Sequence, residues 1–191
     1  IYQLPMSCKL PVIAAMQGHA IGGGWALGMF ADICMFSAES RYISPYMQYG
    51  FTPGAGSTLI FPATLGIDLA KESLFTATEY SGSELKAKGL SHRCLARSEV
   101  MPQALALAGA LAMRRREDLI ALKRYFGARW LAVLDDTYDR ELAMHDKSFV
   151  GQQHAMQGVM QHFLTGDQPA AVAVVEPATQ APSAPAAAPS S

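Results

Sequence analysis

From Pro11 to Phe36 the chain carries a single charged side chain, Asp32. So apolar a stretch belongs in a bilayer or in a protein core. Gln17, His19, the triplet Gly22-Gly23-Gly24 and Asp32 interrupt it, and no run approaches the roughly 20 apolar residues of a spanning helix. The stretch is therefore read as a buried strand, turn, helix and strand. Lys9 to Met16 supplies one buried strand, the glycines open a helix that continues from Trp25 to Phe30, and Ile33 to Phe36 is a second strand.

Further on, Arg41 to Ser44 reads as a short third strand stopped by Pro45, and Phe51 to Gly56 as a turn leading into a second glycine-rich helix start. Asp68 is expected to cap a helix through Leu74. Ser81 and Glu84 have capping-box spacing, with Gly89 as the stop. His92 to Ala96 is a last strand, and from Ser98 onward the pattern is helical. One stripe is Val100, Ala104, Leu107, Ala108 and Leu111; the next is Leu119, Leu122 and Phe126. Between them Arg114-Arg115-Arg116, followed by Glu117-Asp118, reads as a solvated connection. Leu131, Leu134, Tyr138, Leu142, His145 and Phe149 then place His145 on the apolar face of a late helix.

The 191 residues suit one domain, expected to span 1–166. The 15 Lys and Arg nearly cancel the 16 Asp and Glu, so no cationic surplus exists to neutralise a nucleic acid backbone. Cys8, Cys34 and Cys94 are odd in number and form no CxxC pair; each is expected to be a small buried hydrophobe in a cytoplasmic protein. After residue 166 the composition shifts. From Pro169 to Ser191, Glu176 is the sole charge among alanines and prolines, a composition that cannot offset its ordering entropy by burial. Residues 167–191 are expected to form a disordered linker to a further domain or docking element.

A glycine triplet opening a helix lets backbone N–H groups approach an oxygen closely, with the positive end of the helix dipole behind them. That suits a phosphate or a developing oxyanion, but neither GxGxxG nor a lysine-bearing phosphate loop is present. Close helix–strand packing explains three glycines equally well.

In context the triplet says more. Pro11-Val-Ile-Ala-Ala-Met-Gln-Gly-His-Ala-Ile-Gly-Gly-Gly24, Ala31-Asp32 and Gly50-Phe-Thr-Pro-Gly-Ala-Gly56 resemble the crotonase (enoyl-CoA hydratase/isomerase) superfamily, from about Lys9 to Leu164. The resemblance implies an α/β, crotonase-like ββα spiral fold with a C-terminal helical trimerisation region, its first strands missing from this chain. It makes the N–H of Gly23 one of two donors to a thioester enolate oxygen, the second lying upstream of Ile1. Hydratases of the superfamily place one Glu two residues after the triplet and another just after the proline of the next loop; here those positions are Ala26 and Tyr46. Adding water needs a base and an acid, which a carboxylate pair supplies, so hydration by that route is not expected.

Loss of CO2 needs no base, only an oxyanion hole, a poorly solvating site and a proton donor for the carbanion. GHxxGGG, Met47 to Gly56 and Glu141-Leu-Ala-Met-His145 look like the decarboxylase branch used in polyketide β-branching, which converts 3-methylglutaconyl to 3-methylcrotonyl on acyl carrier protein. That branch uses a late-helix histidine, here His145, and a Tyr and a Lys from the absent upstream region. The resemblance thus implies Gly23 and His145 as catalytic residues and Gly22, Ala26 and Tyr46 as substrate-binding ones. It implies an acyl carrier protein or CoA thioester as substrate carrier, a homotrimer, and no metal or redox cofactor. Isomerisation or atypical hydration of a thioester, and a silent scaffold, are the alternatives. His19 is read as structural, and His92, His154 and His162 as surface residues without metal-ligand spacing. Ser37, Ser44 and Ser57 lack a base at recognisable spacing, and Trp25, Met29 and Met35 are read as core.

Overall fold

The computed structural model describes residues 1–165. The elements follow in the order α1 (Leu4–Ser7), β1 (Ile13–Met16), β2 (Ala20–Ile21), α2 (Gly23–Met29), β3 (Ile33–Ser37), β4 (Arg41–Ile43), a 3-10 turn (Pro45–Met47), α3 (Ser57–Leu65) and α4 (Ile67–Thr76). Then come β5 (Tyr80–Ser81), α5 (Gly82–Ala87), β6 (Arg93–Leu95), α6 (Arg97–Ala112), α7 (Arg116–Ser148) and α8 (Gln153–Thr165). This is the α/β arrangement expected from the sequence. Residues 167–191, expected to be a linker, lie outside the described residues.

The apolar run from Pro11 to Phe36 folds as its pattern requires. β1 and β3 pair in parallel with Ile13 opposite Ile33 and Met16 opposite Phe36, and β6 extends the sheet on the far side of β3. A second small sheet joins β2, β4 and β5. Both faces of the first sheet are covered, which is why its strands are continuous apolar runs. On one face α6 lays Val100 and Ala104 against Met35. On the other, Trp25, Met29 and Phe30 of α2 meet Phe36, Tyr42 and Phe61, with the Trp25 and Phe61 rings edge-on at 4.6 Å. Each such fully buried side chain contributes about 1.5–3 kcal/mol.

The capping box forms as expected: Ser81 Oγ accepts from the Glu84 amide at 3.1 Å while Glu84 Oε2 accepts from the Ser81 amide at 2.6 Å. The arginine run is the connection between α6 and α7. Asp68 is not the cap of α4; Gly66 holds that position and Asp68 sits in the first turn, where its charge still favours the helix N-terminus.

The long helix α7 departs most from its apolar pattern. Leu122, Phe126, Leu131 and Leu142 are exposed, as is Ala108 on α6. The buried face of α7 runs through Lys123, Gly127, Leu134 and Glu141. Lys123, 3% exposed, donates to the Pro5 carbonyl at 2.7 Å and pairs with Asp32 at 2.5 Å, whose carboxylate also accepts from the Val12 amide. One ammonium thereby ties α7 to α1 and to the residue that leads into β3.

Several smaller expectations are also revised. Cys8 is exposed and Cys94 intermediate, leaving Cys34 as the buried thiol. His92 is half-buried beside the Phe36 ring, and His162 stacks on Tyr49. Both are surface residues on the sequence pattern alone, because a ring that waits across the fold leaves no mark beside the histidine. His19 is structural: its Nδ1 accepts from the Arg41 amide at 3.0 Å. Among the described residues no helix is long and apolar enough to cross a membrane, and no three His, Cys, Asp or Glu gather to hold a metal ion.

Candidate active site

Gly22 precedes α2 with φ +54°, a conformation that side-chain-bearing residues rarely adopt. Space makes the same demand: a Cβ on Gly22 would stand 2.8 Å from the Tyr46 hydroxyl oxygen. A Cβ on Gly23 would collide with the Tyr2 hydroxyl. Two phenols therefore converge on the glycine triplet, one from the chain before α1 and one from the 3-10 turn after β4. Burial pushes the Tyr46 phenol up to about 12, the neighbouring Tyr2 adds to the rise, and the nearby Gly23 backbone opposes it. At neutral pH Tyr46 is an un-ionised hydroxyl facing a backbone amide.

Ala26, one turn into α2, is fully buried in the core beside Trp25 and presents no charge. Tyr46 packs on Phe51 with ring centroids 5.4 Å apart, and Phe51 meets the edge of His145 at 6.2 Å. Tyr46, whose hydroxyl stands at Gly22, and His145 are thus linked through the Phe51 ring.

His145 is held by the loop between Phe51 and Gly56. Its Nε2 donates to the Thr52 carbonyl at 2.9 Å, and its ring lies so close over Gly54 that a Cβ there would come 2.5 Å from Cε1. Ser148, one turn later on α7, accepts from the Thr52 amide at 3.2 Å and from its hydroxyl at 3.0 Å while donating to the Met144 carbonyl. Glu141, one turn earlier and 2% exposed, accepts from the amides of Gly56 and Thr58 and from the Thr58 hydroxyl. That carboxylate caps α3 from a different helix. It is committed to three donors at the positive end of a helix.

Of the five residues that the sequence implies, Gly22, Gly23, Tyr46 and His145 lie in this region and Ala26 sits in the core beneath it. Tyr2, Phe51, Thr52, Glu141 and Ser148 join them without a role foreseen from sequence; Phe51 and Thr52 belong to the glycine-bearing loop motif, and Glu141 and Ser148 flank His145 at spacings of four and three. A groove of about 370 Å³ between α1 and α7, walled by Met6, Lys9, Ile120, Arg124 and Leu131, contains none of these residues.

The sequence pattern described as enoyl-CoA hydratase/isomerase matches residues 1–170. The chain belongs to that family. Bacillaene synthase decarboxylase PksI of Bacillus subtilis is 46% identical over 149 residues, covering 78% of this chain and 60% of that protein. Crotonyl-CoA hydratase of Syntrophomonas wolfei is 32% identical over 111 residues, 58% of this chain and 43% of the relative. Among solved structures, one from a dehydratase/decarboxylase enzyme couple involved in polyketide β-branching superposes with TM-score 0.81 at 43% identity, covering 83% of this chain and 65% of that one. The ECH2 decarboxylase domain of CurF from Lyngbya majuscula gives TM-score 0.79 at 36% identity, over 84% of this chain and 66% of its own. The chain spans about 60% of the PksI relative's length. The superposed fold is that of a crotonase-type domain, as the sequence motifs implied, matched over 65% of the solved chain.

Proposed function

We propose that this chain is the greater part of a thioester decarboxylase that converts a 3-methylglutaconyl group on acyl carrier protein to 3-methylcrotonyl in polyketide β-branching. The observation that carries the reading is that uncharged Ala26 and Tyr46 stand beside the glycine triplet, while the Glu141 carboxylate is turned to the amides that start α3. A site of that kind admits a substrate carboxylate that an anionic pair would repel. The similarity to decarboxylases supports the same reading.

In the reaction the bond to the substrate carboxylate breaks and its electron pair moves into the thioester, leaving CO2 and a dienolate. The Gly23 N–H donates to the thioester oxygen, worth about 2.7–4 kcal/mol for one such donor. His145 then donates a proton to the carbanion or binds the departing carboxylate, with Gly22, Ala26 and Tyr46 walling the substrate. A CoA thioester would present the same acyl group. Homotrimers through α6 to α8, whose exposed Leu122, Phe126, Leu142 and Met156 suit an interface, a cytoplasmic setting and a linker over 167–191 to another synthase domain complete the proposal.

Intact-mass measurement of 3-methylglutaconyl-acyl carrier protein tests it, with the chain and with a form extended to the relatives' length. Loss of the mass of CO2 that collapses in His145→Ala is the expected result. A gain of the mass of water replaces decarboxylation by hydration, and an unchanged mass with retained trimers leaves a scaffold.

A further inference from the structure

A carbonyl oxygen only accepts, so the ring nitrogen facing Thr52 must carry hydrogen whichever charge state His145 adopts. We propose that Thr52 and Ser148 are positioning residues that fix His145 as its Nε2–H tautomer and leave Nδ1 as the atom through which it exchanges protons.

The geometry comes from one face of α7. Ser148 takes both the amide and the hydroxyl hydrogens of Thr52 and anchors itself on the Met144 carbonyl, so the residue that presents its carbonyl to the ring is tethered to the same helix. Glu141 grips the far end of the same loop at Gly56. Gly54 completes the seat from beneath, its missing side chain admitting the imidazole, while Phe51 and Phe149 flank the ring. In the proposed reaction, on which this role in catalysis rests, the imidazolium Nδ1–H bond breaks as the new C–H bond forms. The neutral ring retains its Nε2–H on Thr52 and regains a proton at Nδ1 from solvent.

The tautomer is measurable without substrate. In a chain labelled with 15N-histidine, the His145 signals are identified by their loss in His145→Gln, and long-range 1H–15N couplings distinguish the tautomers in mildly alkaline buffer. The expected spectrum is Nε2–H in the native chain, collapsing toward tautomer averaging in Ser148→Ala and restored by Ser148→Thr. Gly54→Ala, which keeps the Ser148 contacts but pushes the ring off Thr52, gives the same collapse and covers the case in which Ser148→Ala fails to fold. A native Nδ1–H signal overturns the assignment of the exchanging atom. A Ser148→Ala spectrum identical to the native one overturns the positioning role. On thioester substrate, Ser148→Ala should slow kcat about tenfold with KM held, as for a misplaced catalytic group. Native spectra as expected beside absent turnover would sink the decarboxylase reading and leave the tautomer assignment standing.

Discussion

The Glu141 carboxylate on α7 accepts the amide hydrogen of Gly56 at 2.7 Å, and its other oxygen takes the amide and hydroxyl of Thr58. One side chain thus ends the loop that holds His145 and starts α3. Gly56 has φ +76° and no side chain to cap with, so the helix borrows its cap from α7.

Glu141→Ala should therefore cost about 2–4 kcal/mol, since it strips bonds to a charged acceptor and leaves buried amides unsatisfied. Glu141→Gln keeps one acceptor oxygen and should recover part of that loss. Urea midpoints at constant m-value check both. A Glu141→Ala midpoint equal to the native one would mean that water or another side chain caps α3.

Lys123 offers a second stability test. Lys123→Met removes the cation from Asp32 and the donor from Pro5 while keeping the apolar stem. Asp32 is 28% exposed, so water shares the loss, and the expected cost is about 2–4 kcal/mol, below the upper end for a fully buried pair. Asp32→Asn with Lys123→Met should cost less than the sum of the two single changes. Thermal unfolding of the four-member cycle reads the coupling, and simple additivity would refute it.

Stability should narrow at both ends of the pH range. Burial pushes the Tyr42 and Tyr46 phenols up to about 12 from 10.0, so above pH 10 the unfolded chain releases protons that the folded chain retains. Stability is full below pH 10 and falls as pH rises toward 12. Burial lowers the His92 imidazole below 6.5, against the opposing bond from the Thr64 backbone, so stability is full above pH 6.5 and falls on acidification. Tyr46→Phe should flatten the alkaline limb and His92→Gln the acid one. Denaturation midpoints across pH measure both limbs, and unchanged limbs in these variants would assign the losses to other groups.

Gly22→Ala meets two obstacles, the positive φ and the Tyr46 hydroxyl. The expected cost is about 1–3 kcal/mol for the strained backbone, with steric crowding added. Tyr46→Phe in the same chain should relieve the crowding and leave the backbone share. A complete rescue would show that φ is not the constraint at this position.

What was legible in the sequence was local chemistry. Ser81 and Glu84 announce a capping box by spacing alone, and the triplet announces a helix start, because each device closes within a few residues. The inner face of α7 was not legible. Counting apolar residues selects Leu131 and Leu142, yet the helix buries Lys123 and Glu141, whose partners Asp32, Gly56 and Thr58 lie far away in sequence. Nothing near a charged residue reveals that a partner waits for it across the fold. Tyr46 was legible as a departure from the carboxylate pattern, but its approach to Gly22 depends on how β4 is placed beside β2.

The bonds that seat His145 span 93 residues from Thr52, and those of Ser148 and Glu141 to the same loop span 96 and 85. Lys123 reaches back 118 residues to Pro5. Such contacts form only after long chain segments have been closed, and each closure costs entropy before it returns enthalpy. During synthesis, which runs from the N-terminus, the glycine triplet and its two sheets can be complete while the loop from Phe51 to Gly56 still lacks every α7 partner. The half of this region that α7 supplies is therefore its last part to be made. A nascent or nicked chain without α7 would retain the glycine triplet and lack the His145 ring that meets Thr52.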